Sequence, residues 1–128
     1  MAGEFIADNI LDQGLNYLDT NGETLYLTSQ AATTYAEASS TYKLATKTSI
    51  AISAPQNGDT DGRKCVVSAI TDGTVNTTGT ATHWAICKDS ATSELLVAGP
   101  LSASQALTAG NEFTLDAIDV TLRDATVT

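Results

Sequence analysis

Few side chains in this sequence are equipped for chemistry. Its one histidine, His83, stands beside its one tryptophan, Trp84, and its two cysteines are Cys65 and Cys87. Acid–base or nucleophilic catalysis needs a histidine held against a carboxylate and a nucleophile, and the chain order supplies no such grouping. GxSxG, HExxH, P-loop and GxGxxG patterns are missing as well. We therefore expect a chain that is not an enzyme and needs no cofactor, with His83 an ordinary strand residue flanking a core tryptophan. The cysteines lack CxxC spacing and a nearby second ligand, which argues against zinc. They read as two small buried hydrophobes, and the alternative is a disulfide through Cys65 and Cys87, across strands or between subunits, formed in an oxidising medium.

The most suggestive local spacing is Asn57-Gly-Asp59-Thr-Asp61-Gly62, where oxygen ligands recur at every second residue before a glycine. Alternate short acids converge on a hard cation in the opening half of a calcium loop. The pattern fails where such a loop closes, because the twelfth position from Asn57 is Ser68 and not a bidentate Glu. Asn57, Asp59 and Asp61 are thus a weak calcium candidate, set against a hairpin turn whose polar side chains cap their own backbone. The run TVNTTGTAT at 74–82 has the polarity of a glycan-binding surface. Trp84 and the tyrosines are the only platforms on which a sugar would stack, and a solvated strand accounts for the same residues.

These residues must be positioned by a mostly β chain. Residues 4–18 place Phe5, Ile6, Ile10, Leu11, Leu15 and Leu18 at helical spacings, and Asn21-Gly22 supplies the stop. Gly14 weakens the middle of that helix by up to about 1 kcal/mol. Beyond Gly22 the period becomes two, which predicts strands over 23–29, 47–53, 63–70, 80–88, 93–98 and 112–122. Turn-rich PQNGDTDG, TDGT, KDSATS, GPLSASQ and TAGN separate them. The stretch 32–45 reads as a loop with a strand near its end. The fold class expected is mainly β: an N-terminal amphipathic helix with its turn over 1–22, then an antiparallel β-sandwich or jelly-roll-like barrel over 23–128. Its core should hold Leu25, Leu27, Ile50, Ile52, Val67, Trp84, Ile86, Leu95, Phe113, Leu115 and Ile118.

Composition narrows the partners. The net charge is −9, and Arg63-Lys64 is the only adjacent basic pair. Nucleic acid and anionic membranes both select clustered cations, so neither is an expected partner. The acidic N-terminus does not resemble a secretory signal, and no run approaches the roughly 18 apolar residues that span a bilayer. Synthesis and retention in a cytoplasm is the expectation.

The stretches NILDQGLNYLDTNGETLYL, SQAATTYAEASSTYKLATKT, DGRKCVVSAITDGTVNTTGTATHWAI and LSASQALTAGNEFTLDAIDVTL resemble a family of small virion structural proteins of tailed bacteriophages, across nearly the whole chain. The resemblance implies a virion component made in the bacterial host cytoplasm, of head-decoration or cement type, seated over capsid subunit junctions. Its implied partners are the major capsid protein and copies of itself. A tail, neck or fibre component with a receptor- or glycan-binding role is the alternative. No catalytic residue comes with the resemblance. The apolar helix residues Phe5, Ile6, Ile10 and Leu11 are the interaction candidates, and removal of residues 1–18 is expected to block assembly while leaving the β-domain soluble.

Overall fold

The computed structural model describes residues 7–90 and 92–123. In chain order the elements are α1 (Asp8–Asn21), β1 (Thr24–Thr28), a single π turn (Glu37–Thr41), β2 (Lys43–Thr48), β3 (Gln56–Asn57), β4 (Arg63–Val67), β5 (Ile70–Val75), β6 (Gly79–Lys88), β7 (Glu94–Leu107), β8 (Glu112–Leu115) and β9 (Ile118–Leu122). Six strands form a curled antiparallel sheet in the order β7-β6-β1-β2-β5-β8, and a second sheet runs β3-β4-β9. The result is the expected mainly β, sandwich-like fold led by a helix.

Helix α1 buries Leu11, Leu15 and Leu18, which recur at four- and three-residue intervals along one face. Asp8 sits in the first turn, where its charge complements the helix dipole, and the Gly22 N–H closes the other end by donating to the Leu18 carbonyl at 2.7 Å. An ion pair from Arg63 Nε to Asp12 Oδ1, 2.8 Å long, ties the helix to β4. Because Leu18 belongs to the main core cluster, α1 is part of the hydrophobic core and not an appendage to it.

Strand β1 is buried at every position, which explains why its alternation leads to two cores. Leu25 and Leu27 face the main cluster with Val67, Ile86 and Phe113. Tyr26 faces a smaller one with Ala85 and Cys87, covered by Ala32, Ala38 and the half-buried Tyr35 and Tyr42. The stretch 32–45, read as a loop with a strand near its end, enters β2 at Lys43, and its earlier part, 32–42, roofs the second face of the sheet. Trp84 and Ile86 fall on one side of β6, and Ala85 and Cys87 on the other, as period-two alternation requires.

Several predicted boundaries are corrected. The strand expected over 47–53 ends at Thr48, because Ser49 takes a φ of 55° and turns the chain out of the ladder. Ile52 is left with an isolated bridge to Val67. The segments 63–70 and 112–122 each divide between the two sheets, at Ser68-Ala69 and at Asp116-Ala117, so these are corners where strands change layer. TDGT is strand and not turn: a Cβ at Gly73 would lie 2.0 Å from Phe113 Cε2, so the glycine is demanded by the ring lying against it. GPLSASQ also belongs to a strand, the long β7, whose position at the sheet edge tolerates Pro100. In the core, Leu25, Leu27, Val67, Ile86 and Phe113 are buried, while Ile50, Ile52, Trp84, Leu115 and Ile118 are half-buried at its margin and Leu95 packs in the second cluster.

Candidate interaction surface

The calcium candidate resolves into a charge-paired turn. Asn57 Oδ1 accepts from Arg63 Nη1 at 2.6 Å, Asp59 from Lys64 Nζ at 2.7 Å and Asp61 from Arg123 Nε at 2.5 Å. Three oxygens that would have to converge on a cation instead answer three different basic side chains. Lys64 is shared with Asp119, 2.9 Å away, and these two carboxylates raise its pKa. Arg63 and Lys64, the one adjacent basic pair in the sequence, are thus both engaged within the chain.

For the disulfide candidate, the two thiols are not bonded to one another within the chain. Cys65 and Cys87 are free, fully buried thiols on β4 and β6, which belong to different sheets. Cys65 Sγ lies 3.7 Å from the Leu15 carbonyl, beneath the helix. Cys87 sits in the second core, where burial, aided by the charge of Asp89, pushes its thiol up to about 12. Both behave as small hydrophobes. His83 is half-buried on β6 with its Nδ1 2.8 Å from Thr82 Oγ1. Cys87 lies four residues along the same strand, roughly 13 Å away at the usual rise, so the two do not form a nucleophile–base pair.

Sequence reasoning missed the strongest polar cluster. Asp89, just after β6, accepts hydrogen bonds from Tyr26 Oη at 3.0 Å, from Tyr35 Oη at 2.8 Å and from the Thr24 hydroxyl. Beside it, Glu23 accepts from the backbone N–H groups of Asp89 and Ser90 at 2.9 and 3.0 Å, and from the Ser90 hydroxyl. Burial first, and the Asp89 carboxylate second, push the Tyr26 phenol up; for Tyr35 the bond to Asp89 leads. The bond from Tyr35 to Asp89 fastens the 32–42 segment onto the sheet. Its one legible signal was the acid at the end of a strand whose facing neighbour, β1, presents Thr24 and Tyr26 on one side.

The surface most suited to a partner is formed by α1 and the end of β9. Phe5 and Ile6 fall outside the described residues. Leu11, named with them, is 6% exposed and packs inward, so it cannot serve as a contact residue. Ile10 is 65% exposed, and Tyr17, seven residues on and so on the same helix face, is 49% exposed. Leu122 of β9, 38% exposed, lies against Gly14 between them, where a Cβ would come within 3.2 Å of its Cδ1. Gly14, read from sequence as a weak point, is where the strand end approaches the helix. Tyr17 Oη donates to Glu94 Oε1 at 2.8 Å across a groove of about 290 Å³ floored by Leu96, Val97 and Val120.

A second groove, of about 370 Å³, runs between the later half of β7 and the β8–β9 corner, with Trp84, Leu101, Leu115 and Ile118 among its walls. Gly99 lies close under the indole, so that a Cβ there would be 2.9 Å from Trp84 Cζ2. The expectation of a fully enclosed tryptophan is corrected: Trp84 is a wall between core and groove. Among the described residues no helix is long and apolar enough to cross a membrane. No family model, curated protein or solved structure matches this chain.

Proposed function

We propose that this chain is a structural subunit of a tailed-phage virion, a decoration or cement protein that binds over capsid subunit junctions through the face formed by α1 and the end of β9. The observation that carries this reading is the gathering, on one side of an otherwise acidic molecule, of the large apolar side chains most exposed among the described residues, Ile10, Tyr17 and Leu122. Apolar side chains grouped in this way on a soluble domain mark an interaction surface. The sequence resemblance supplies the virion context, and the major capsid protein and further copies of the chain are the proposed partners. A lattice of identical sites turns modest contacts into firm attachment through avidity. A subunit that binds only the assembled shell stabilises that state by mass action.

The test is incorporation. Ile10→Asp and Leu122→Asp alter exposed side chains and should leave the fold intact. Each should lower the amount of chain recovered on purified particles, and the double variant should abolish it. Full incorporation of a folded double variant would exclude this face as the attachment site.

A further inference from the structure

Both grooves are bounded on one side by β7 and on the other by the 115–122 stretch. The two sheets are not joined by a ladder there: among the described residues β7 pairs with β6, β8 with β5 and β9 with β4. Although β7 and β8 are consecutive and joined by a short turn, no ladder links them among the described residues. A side-chain bond, from Gln105 Nε2 to the Thr114 carbonyl at 3.3 Å, spans the gap. The main core is incompletely covered along the same seam, where Trp84, Leu96, Leu101, Leu115, Ile118 and Val120 are half-buried. From Leu95 through Leu107 the edge strand carries no charged residue. Exposed edges are ordinarily protected by charges, bulges or proline; β7 carries Pro100 and two register shifts against β6, between Leu95 and Val97 and between Pro100 and Gln105, but no charge guards it over that length.

We propose that this seam accepts an extended segment of a partner protein as an added β-strand on β7. Main-chain hydrogen bonds to the β7 edge would supply affinity, and alternate side chains of the guest would cover Trp84, Leu101, Leu115 and Ile118. The guest is further defined by charge. Glu94 and Asp116 border the two grooves, no Lys or Arg lines either, and the chain as a whole is at −9. The segment that fits alternates apolar and neutral residues and is flanked by lysine or arginine. A second copy of this chain fits less well, since two such acidic molecules repel. The proposal holds whether or not the chain belongs to a virion, and its test uses the purified chain alone.

The probe is a blocked synthetic peptide, Lys-Thr-Val-Thr-Val-Thr-Val-Thr-Lys, with one control carrying proline at the central valine and another carrying glutamate at both ends. Trp84 is the only tryptophan, so its fluorescence reports occupancy of the groove directly. Saturable binding of the lysine-flanked peptide is expected, with hydrogen exchange of β7 amides slowed about tenfold or more at saturation. The proline control should not bind, and the glutamate-flanked peptide should bind at least about tenfold more weakly. Ala103→Lys, at an exposed position on the groove wall, should weaken binding while leaving the urea midpoint unchanged. Absence of binding by the lysine-flanked peptide overturns the proposal, as does equal binding of the proline control, which would mean a groove that takes apolar ligands without strand pairing. Protection of β7 that rises with the concentration of the chain itself would assign the edge to a second copy. A fluorescence change with maltose or chitotriose, and none with the peptide, would assign the groove to carbohydrate.

Discussion

The single residue on which most depends is Asp89. Three hydroxyls, from Thr24, Tyr26 and Tyr35, converge on its carboxylate, and only an acceptor with two oxygens and no proton satisfies them all. Asp89→Asn places an NH2 against hydroxyl donors and is expected to cost about 1–3 kcal/mol in urea unfolding, with Tyr35→Phe costing less. An unchanged midpoint for Asp89→Asn would contradict the role given to the cluster. The thiols make a second prediction. Cys87 is held protonated to about 12 in the fold against an ordinary 9.0, so the unfolded chain loses this proton first as pH rises. The stabilisation is fully present below about pH 9 and is lost as pH rises through about 12. Cys87→Ala should flatten the decline in stability over that window, and neither buried thiol should react with a thiol reagent until the chain unfolds. Rapid labelling of the native protein would show that the second core opens. Sequence foretold the burial of these cysteines, since small thiols with no ligand partners settle in cores, but not the Asp89 cluster. That cluster is built from residues far apart in the chain, one of them in a stretch with no clear period.

At the level of elements, alternation and helical spacing located α1, β1 and β6 well because each has a buried stripe strong enough to declare its period. They failed wherever a strand changed sheets. The runs 63–70 and 112–122 look continuous in hydropathy because both layers bury apolar residues, and only the exposed pairs Ser68-Ala69 and Asp116-Ala117 mark the corners. TDGT misled for a different reason: Gly73 reads as a turn residue, whereas it makes room for Phe113. Gly73→Ala is therefore expected to destabilise by about 1–3 kcal/mol through overpacking, against the small gain a strand glycine in open space would give. Denaturant midpoints decide between the two signs. The helix carries the same lesson for truncation. Leu15, 1% exposed, belongs to the core, and Leu15→Ala should cost about 2–5 kcal/mol. Removing residues 1–18 would strip the buried Leu11, Leu15 and Leu18 from the fold, so a truncated chain tests docking and folding together. The point variants on the exposed face are the clean way to separate docking from folding.

The whole molecule combines a charge-paired turn at Asn57–Asp61, a polar latch at Asp89, and a helix face and an open β seam bordered by apolar side chains that reach solvent. The sequence announced the fold class, the acidity and the helix. The seam was hidden because GPLSASQ has turn composition while serving as an edge strand, and because the splaying of β7 from β8 is a property of sheet curvature that no local pattern encodes. The placement of apolar surface on one side gives the molecule a direction, and in the proposed role that side meets the shell while the 57–64 turn and the Asp89 latch belong to the domain's own stability. The most direct test is electron cryomicroscopy of intact particles carrying the chain. The account predicts many symmetry-related copies over capsid subunit junctions, with Ile10, Tyr17 and Leu122 at the contact. Absence of the chain from purified particles, confinement to the tail or neck, or copies on the shell with those side chains facing solvent would contradict it.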